Sequence, residues 1–335
     1  MHRRPLLIVF IALLVTVTAC AGGVGRDSTS GLQRAVPHAK PATATAPPAT
    51  EAPPPDTEAP AAVQPAALIT TTGIIVPVVG PAEGGWRVMT PCAVEAIVAG
   101  GTPLTSAEVV LDPGHGGRET GSVGPNGLVE RDLNDVVTAH THRALEQAGV
   151  SVMLTRYANY RVTLQTRAAI ATALQPRAFV SIHHNGGHDG PLDRPGTEVY
   201  HQVADPESRR LAGLLHEEVA AAFSRYEGIA WSGNVDAGAK VRLNSQGGDY
   251  YGILRRSAGV PAVISEGLFL SASMAEAELL ARPDVQQAHG EAIARAILRF
   301  LTTSDPGSGF VEPIVRETLA GGGGGTTDCV DPPLQ

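Results

Sequence analysis

The sequence is organised around Val109-Val110-Leu111-Asp112-Pro113-Gly114-His115-Gly116-Gly117. Two β-branched residues and a leucine predict a short buried strand, and the Asp-Pro-Gly that follows prevents the strand from continuing. We therefore expect His115 on a tight glycine-rich turn at the carboxyl end of that strand. Because ligands and catalytic groups collect at this edge of an open α/β sheet, His115 is the first candidate ligand of a metal site.

From Ala107 the sequence alternates between strand and helix patterns, which is typical of parallel βαβ units. Strands are predicted at residues 108–111, 151–155, 178–183, 197–202 and 261–265, with a weaker one at 240–243. Helices are predicted at about residues 130–148, 163–174, 206–223 and 285–301. The predicted fold class is α/β: a single domain with a mostly parallel, roughly six-stranded sheet flanked by helices, plus a small N-terminal β appendage.

The N-terminus predicts export. It is basic at Arg3 and Arg4, and residues 6–17 form an apolar run that is short for a membrane-spanning helix, so residues 1–19 are expected to be a signal peptide. The signal ends in Val17-Thr18-Ala19-Cys20, which resembles a bacterial lipobox; the alternative is ordinary cleavage beside an incidental cysteine. A lipidated Cys20 would anchor the protein to the extracytoplasmic face of the cell membrane, beside the cell wall.

Composition divides the rest of the chain. Residues 20–68 are rich in Pro, Ala and Thr, without apolar periodicity, and are expected to form a disordered tether. Short β-prone runs at residues 69–104 predict a small β-rich appendage, either packed on the main domain or forming a separate wall-facing module. The main domain is expected at residues 105–303. The Gly/Pro-rich tail, residues 304–335, is expected to be unstructured apart from Cys329.

The charge balance argues against nucleic acid as a partner. The formal net charge is −8, and it becomes −10 once residues 1–19, with Arg3 and Arg4, are removed. The remaining sequence has no stripe of basic residues that would bind nucleic acid. We also expect the protein to be a monomer. Cys92 and Cys329 flank the main domain in sequence, and in an oxidising compartment they are expected to form a disulfide. The disulfide would close a long loop of chain and add a few kcal/mol of stability. Two free thiols are the alternative.

Three positions are candidate zinc ligands: His115, Glu130 and His183. Glu130 follows a Pro-Asn-Gly turn and begins a helix, and His183 ends a strand. Both are therefore expected near the glycine-rich turn that carries His115. Two imidazoles, one carboxylate and a water are the ligand set of hydrolytic zinc sites. Successive strand side chains face opposite sides, so only one of His183 and His184 can face the site. The spacing does not choose between them, and His188 is a further competitor.

A carboxylate at the end of an apolar strand is costly unless it is paired or functional. Glu266 is in that position, directly after the predicted strand 261–265. It is the candidate general acid and base.

Six segments in this order resemble the zinc-dependent N-acetylmuramoyl-L-alanine amidases of the Amidase_3 type, over roughly residues 107–301. They are the stretch 109–117, Asn126-Gly127-Leu128-Val129-Glu130, Leu154-Thr155-Arg156, Ser181-Ile182-His183-His184-Asn185, Gly196-Thr197-Glu198-Val199-Tyr200 and Glu266-Gly267-Leu268-Phe269-Leu270-Ser271.

The resemblance implies that His115, Glu130 and His183 bind zinc and that Glu266 is the catalytic glutamate. It thereby selects His183 over His184. Two departures are local: Glu-Gly-Leu-Phe-Leu replaces the usual Glu-Leu-Gly-Phe-Leu, and His184 stands where a small residue is usual.

The implied substrate is peptidoglycan, and the implied reaction is hydrolysis of the amide between N-acetylmuramic acid and the L-alanine of the stem peptide. Asn185, Arg156 and Arg167 are candidate substrate-binding residues, although both arginines could instead form structural ion pairs. Residues 228–248 have few helix or strand signals and are expected to form a mobile rim over the site. Two other functions fit the same residues: a zinc peptidase that cleaves within the stem peptide, and a non-catalytic wall-binding lipoprotein.

Overall fold

The computed structural model describes residues 64–313 and 325–335, which belong to one compact unit, Pro60–Gln335. The predicted signal peptide, Cys20 and residues 21–63 of the predicted tether lie outside the described residues. The first strand begins at Ala67, inside the range expected of the tether. Within residues 64–313 and 325–335, no helix is long and apolar enough to span a bilayer.

The strands in chain order are β1 Ala67–Ile69, β2 Ile75–Ala82, β3 Gly85–Met89, β4 Glu95–Val98, β5 Thr102–Leu104, β6 Val109–Pro113, β7 Val152–Leu154, β8 Ala178–Asn185, β9 Gly190–Leu192, β10 Glu198–His201, β11 Trp231–Gly233, β12 Ala239–Lys240 and β13 Ala262–Phe269. The helices are α1 Glu130–Gln147, α2 Leu164–Leu174, α3 Pro206–Phe223, α4 Gly252–Arg256, α5 Met274–Leu280 and α6 Pro283–Thr302.

The N-terminal strands form an antiparallel sheet in the order β4-β3-β2-β1-β5. Ala67 and Ile75 of this sheet share an apolar cluster with Ile170 of α2. The backbone N–H of Thr163, just before α2, donates to Pro91 O at 2.9 Å. Of the two alternatives for this appendage, the structure has the one in which it packs on the main domain.

The main sheet has six strands in the order β12-β10-β13-β8-β6-β7. Four of the five neighbouring pairs are parallel, and only β10 and β13 pair antiparallel. The predicted fold class is confirmed. Because β10 runs against β13, it is the start of β10 that lies at the carboxyl end of β13, where Glu198 is paired with Glu266.

Side-chain alternation along the strands sends residues to two cores. Val109, Leu111, Val180 and Ile182 pack under α1, α3 and α6 on one face. The alternate residues, such as Val110 and Phe179, pack against α2 and α4 on the other face. The same alternation assigns each residue at the carboxyl edge to one face or the other.

Two helix starts follow their sequence signals. The Asp205 carboxylate accepts hydrogen bonds from the backbone N–H groups of Glu207 and Ser208, with Pro206 in the first turn. The Thr163 hydroxyl accepts one from Thr166 N. Such caps satisfy backbone donors that have no partner inside the helix.

The predicted Cys92–Cys329 disulfide is present. The expectation that the rest of the tail is unstructured is wrong for its described parts. Ala239 N donates to Gly309 O at 2.8 Å and Val311 N donates to Ala239 O at 3.0 Å, so the chain after α6 pairs with the edge of the main sheet. An edge strand offers free backbone groups, and a segment that follows a helix can pair with them whatever its composition.

The predicted rim at residues 228–248 is wrong for residues 231–240, which contribute β11 and β12 and include buried polar side chains. Strands of three and two residues are too short to show alternation in the sequence. Helices α4 and α5 were not predicted for the same reason.

Candidate metal centre

Three side chains meet at the carboxyl ends of β6 and β8. Glu130 Oε1 lies 3.0 Å from His115 Nε2 and 3.0 Å from His183 Nδ1, and the possible ligand atoms of all three residues lie within 4.8 Å of one another. The first residue of α1 is Glu130, and its second oxygen accepts a hydrogen bond from Ser122 N at 2.7 Å. A turn, a helix start and a strand end thus bring together the three residues that the sequence suggested as ligands.

This donor set fits a zinc ion. Two imidazole nitrogens and a carboxylate oxygen are common zinc ligands, and hydrolytic sites leave the fourth position open. A tetrahedral ion with ligand distances of about 2.0–2.2 Å keeps neighbouring ligand atoms roughly 3.3–3.6 Å apart. The two 3.0 Å separations at Glu130 Oε1 are close to that spacing.

Opposite charges hold the three side chains together. Burial lowers the pKa of His115, but the neighbouring carboxylates of Glu119 and Glu130 outweigh burial and raise the pKa to about 9. Burial raises the pKa of Glu130, yet hydrogen bonds from His115 and His183 keep it well below its ordinary value. A metal that binds here must displace a proton from an imidazole.

The turn that carries His115 has an unusual backbone. His115 has φ +62°, in the left-handed region that residues with side chains seldom adopt. A Cβ on Gly114 would lie 2.2 Å from His183 Cε1, and one on Gly121 would lie 2.4 Å from Glu130 Oε2. Glycine is required at both positions because the ligand side chains occupy the space.

Two buried arginines bind the backbone of this turn. Arg156 Nε donates to His115 O at 3.0 Å, and its Nη2 donates to Gly114 O at 3.1 Å. Arg167 Nη1 donates to Pro113 O at 2.8 Å, and its Nη2 donates to His115 O. Pro113 ends β6, and Gly114 and His115 lie beyond the strand, so the arginines supply hydrogen bonds to carbonyls at the point where the ladder stops.

Both arginines also form the ion pairs that the sequence left as the alternative. Arg156 pairs with Asp135 at 2.5 Å, and Arg167 pairs with Asp112 at 2.5 Å. A direct role for Arg156 or Arg167 in substrate binding stays a prediction.

Asp112 is a buried carboxylate in the strand that leads to the turn. It accepts hydrogen bonds from Thr155 Oγ1 at 2.5 Å and Ser181 Oγ at 2.6 Å, in addition to Arg167. Burial raises the pKa of Asp112, but the charge of Arg167 and these hydrogen bonds outweigh it and lower the pKa below its usual value. Asp112 therefore links β6, β7, β8 and α2 as an ionised group.

Glu266 lies on β13, paired in register with His183 on β8. It lines the same cavity as His115 and His183, and its Oε2 is buried without a hydrogen-bond partner among residues 64–313 and 325–335. Burial, followed by repulsion from Glu130 and Glu198, raises the pKa of Glu266 well above its ordinary value. A carboxyl with a raised pKa in a cavity is a candidate for general acid and base chemistry.

The cavity has a volume of about 210 Å³ and lies between the sheet and the helices α2 and α4. Val162, Leu164, Ile253 and Ile264 form apolar walls, and Tyr251 also lines it. Apolar walls with a few converging polar groups are typical of a small-molecule or peptide site.

His184 faces the opposite side of the sheet from His183. It is buried, and its Nδ1 lies 2.8 Å from Asn134 Oδ1 on α1. Its ring contacts His289 of α6 at 5.2 Å between centroids. His188 is exposed and does not belong to the ligand cluster.

A second buried charged cluster beside Glu266 was missed by the sequence reasoning. Lys240 Nζ lies 2.7 Å from Glu198 Oε1 and 2.9 Å from Asp236 Oδ1, with all three side chains buried. Glu198 Oε2 accepts from Asn185 Nδ2 at 2.8 Å. The signal was present: Glu198 begins the strand Glu198–His201 next to apolar residues, and a buried carboxylate needs a cation.

Residues 109–299 match the family model described as Amidase_3, N-acetylmuramoyl-L-alanine amidase. The chain is 32% identical over 218 residues to the YqiI protein of Bacillus subtilis (strain 168), a match that covers 63% of this chain and 95% of YqiI.

Two further matches are longer proteins. The chain is 28% identical over 225 residues to N-acetylmuramoyl-L-alanine amidase AmiC of Neisseria meningitidis, covering 58% of this chain and about half (53%) of AmiC. The structure of this chain is similar to that of Cwp6 from Clostridium difficile, with a TM-score of 0.51 and 25% identity. The match covers 59% of this chain and 30% of Cwp6.

Proposed function

The chain belongs to the Amidase_3 family of N-acetylmuramoyl-L-alanine amidases, and on that premise we propose that it cleaves the amide between N-acetylmuramic acid and the L-alanine of the stem peptide. The reaction centre is the cluster of His115, Glu130 and His183. The observation that carries the proposal is that three zinc-type ligand atoms lie within 4.8 Å of one another, and that two of the three residues, His115 and His183, line one cavity with Glu266.

We propose zinc as the metal, held by His115 Nε2, Glu130 Oε1 and His183 Nδ1. When bound there, zinc would supply a Lewis acid to activate water and polarise the amide carbonyl. Glu266 then takes a proton from the attacking water and delivers it to the departing alanine nitrogen. Its Oε2 is available for this work because no other group among the described residues bonds to it.

Asn185 is proposed to bind substrate through its amide oxygen. Glu198 is hydrogen-bonded to the Asn185 amide nitrogen at 2.8 Å, and a carboxylate accepts hydrogen bonds only. That contact fixes which end of the amide is the nitrogen, and the amide oxygen is the atom of Asn185 that can accept an N–H from the peptide. Arg156 and Arg167 are proposed to support catalysis by fixing the backbone of the His115 turn.

The cell-surface placement is also a proposal. Cleavage after residue 19, lipidation of Cys20 and an extended tether from residue 20 towards the start of β1 at Ala67 would carry the catalytic domain, residues 105–303, from the membrane to the wall as a monomer. The family's substrate and the disulfide between Cys92 and Cys329 support a compartment outside the cytoplasm.

Mass spectrometry of a defined muropeptide incubated with the zinc-loaded protein tests the proposal. We expect two products, an intact stem peptide with a free L-alanine amine and the corresponding sugar, and no products after chelation of the metal. Cleavage inside the stem would show a peptidase, and an uncut muropeptide would show a non-catalytic wall protein; either result contradicts the proposal.

A further inference from the structure

Two parts of this chain lie outside the residues that match the family model, and they are joined to each other. The N-terminal sheet, β1 to β5, precedes residue 109, and the C-terminal segment, residues 325–335, follows residue 299. The disulfide Cys92–Cys329 links them, and Asp331 Oδ1 accepts a hydrogen bond from Cys92 N at 2.8 Å. Thr72 Oγ1 donates to Pro333 O at 2.7 Å. The C-terminal segment is thus fixed along the N-terminal sheet at several points.

The C-terminal segment also contacts the loop that leads from β7 to α2. Arg161 Nη1 donates to Thr327 O at 2.7 Å, and Arg161 Nη2 donates to Gly325 O at 2.8 Å. Both terminal nitrogens of one guanidinium are therefore used on the backbone of the segment. The remaining donor nitrogen of the guanidinium, Arg161 Nε, is not used on the segment.

Arg161 Nε lies 3.5 Å from Glu119 Oε2, and the other oxygen of Glu119 lies 3.5 Å from His115 Nδ1. Both nitrogens are buried and have no hydrogen-bond partner among residues 64–313 and 325–335. One carboxylate therefore stands between two buried donors, at a distance that a small shift would turn into two hydrogen bonds. A buried N–H without an acceptor is unfavourable, which favours that shift.

The metal makes this carboxylate necessary. When His115 binds a metal through Nε2, its proton is on Nδ1, and a ligating histidine ordinarily donates that proton to a carboxylate or carbonyl. Such a partner fixes the ring orientation and increases the basicity of the ligand. Glu119 is the acidic residue within reach of Nδ1, and Arg161 is the cation that aims it.

We propose that the C-terminal segment is a brace for the metal centre: by binding Arg161 it positions Glu119, and Glu119 orients His115 as a ligand. The proposal rests on the proposed function in that it takes His115 to bind zinc. It assigns a role to the disulfide beyond stability, because the disulfide keeps Thr327 and Gly325 against Arg161. Arg161 and Glu119 are assigned here as positioning residues, which act on the metal centre through His115.

Zinc affinity of the purified full chain tests the brace, measured by competition with a chromophoric chelator. Removing an outer partner of a ligand typically weakens metal binding about 10–100-fold, and we expect this range for Glu119→Ala and Arg161→Gln. Cys329→Ser is expected to weaken zinc binding in the same direction. The matched control is Thr72→Val, which removes a bond to the same segment that does not lead to Glu119; its effect should stay below about twofold.

A double variant separates a brace from a general loss of stability. If Arg161 acts through Glu119, Arg161→Gln changes zinc affinity in the wild-type background and has little further effect in the Glu119→Ala background. In the zinc-loaded protein, the His115 Nδ1–H resonance should be protected from exchange in the wild type and in Thr72→Val, and lose protection in Arg161→Gln. If Cys329→Ser does not fold, reduction and alkylation of the folded wild type replaces it.

The outcomes are distinct. Zinc binding by the wild type with equal affinity in Arg161→Gln, Glu119→Ala and Thr72→Val would overturn the brace and leave the proposed function intact. Additive losses in the double variant would also overturn it. A wild-type chain that binds no zinc at His115 would instead overturn the proposed function.

Discussion

The two halves of the site are positioned in different ways. His183 and Glu266 lie on β8 and β13, neighbouring parallel strands in the middle of the main sheet, and are paired in register. His115 lies on a left-handed turn beyond β6, where two arginine side chains bind the backbone carbonyls in addition to a few main-chain hydrogen bonds. One half is fixed by main-chain pairing and the other by arginines, glycines and buried carboxylates.

This difference predicts where mutations act. On the strand side, the backbone ladder keeps its geometry when a side chain changes, so a substitution should remove only the chemistry of that side chain. On the turn side, the support is itself made of side chains, so substitutions that never touch the metal should alter the site. The predictions below run from the largest expected effect to the smallest.

The largest effect is expected from Glu266→Gln on the strand side. Loss of a general acid and base typically lowers the rate about 10²–10⁴-fold, and we expect this fall in amidase turnover with zinc affinity nearly unchanged. Glu278→Gln, at an exposed position on α5, is the matched control and should retain full activity. A Glu266→Gln protein that cleaves muropeptides at the wild-type rate would remove Glu266 from the mechanism.

On the turn side, Arg167→Met should destabilise the whole domain. It leaves Asp112 buried and ionised without its cation, which costs about 3–5 kcal/mol for a buried pair. Urea unfolding with the metal removed measures the change. Arg282→Met breaks an exposed ion pair with Asp284 and should change the unfolding free energy far less. Equal effects of the two substitutions would show that the Arg167 pair does not support the turn.

Gly114→Ala should weaken zinc binding on the order of tenfold, because its Cβ would overlap the His183 ring at 2.2 Å. Gly100→Ala is the control: it also adds one methyl group, and nothing lies within 4 Å of the new Cβ. Chelator competition compares the two variants. Unchanged affinity in Gly114→Ala would mean that the two halves of the site tolerate displacement relative to each other.

The smallest effect concerns acid pH. The pKa of Asp112 is lowered in the folded protein, so its contribution to stability is present above the pKa of an unfolded aspartate, about 3.9, and is lost as pH falls through the lower folded pKa. Asp112→Asn should therefore be less stable than wild type at pH 7, and the difference should narrow in strong acid. A difference that stays constant with pH would show that Asp112 carries no linked charge.

Much of this could be predicted from the sequence, because the strand side obeys sequence rules. Apolar runs that end in His183 and Glu266 indicated strands whose carboxyl ends meet at one edge. Glu130 at a helix start and His115 after Asp-Pro-Gly were visible for the same reason. Cys92 and Cys329 were paired correctly because they were the only cysteines available to each other after Cys20.

The supports of the turn could not be predicted, because they depend on residues far apart in the sequence. Arg167 meets the carbonyl of His115 across 52 positions, and Arg161 meets the carbonyl of Thr327 across 166. Neither pair follows a helical or strand period. The short strands β11 and β12 and the packed residues after α6 were missed for a related reason: their pairing is set by an open sheet edge, not by their own composition.

The most direct test of the account is a crystal structure of the zinc-loaded protein with anomalous scattering recorded at the zinc edge. We predict one strong peak bound by His115 Nε2 from the turn side, His183 Nδ1 from the strand side and Glu130 Oε1 between them, with Glu266 on the same cavity wall. A peak elsewhere, or one bound by His184 or His188 in place of His183, would contradict it.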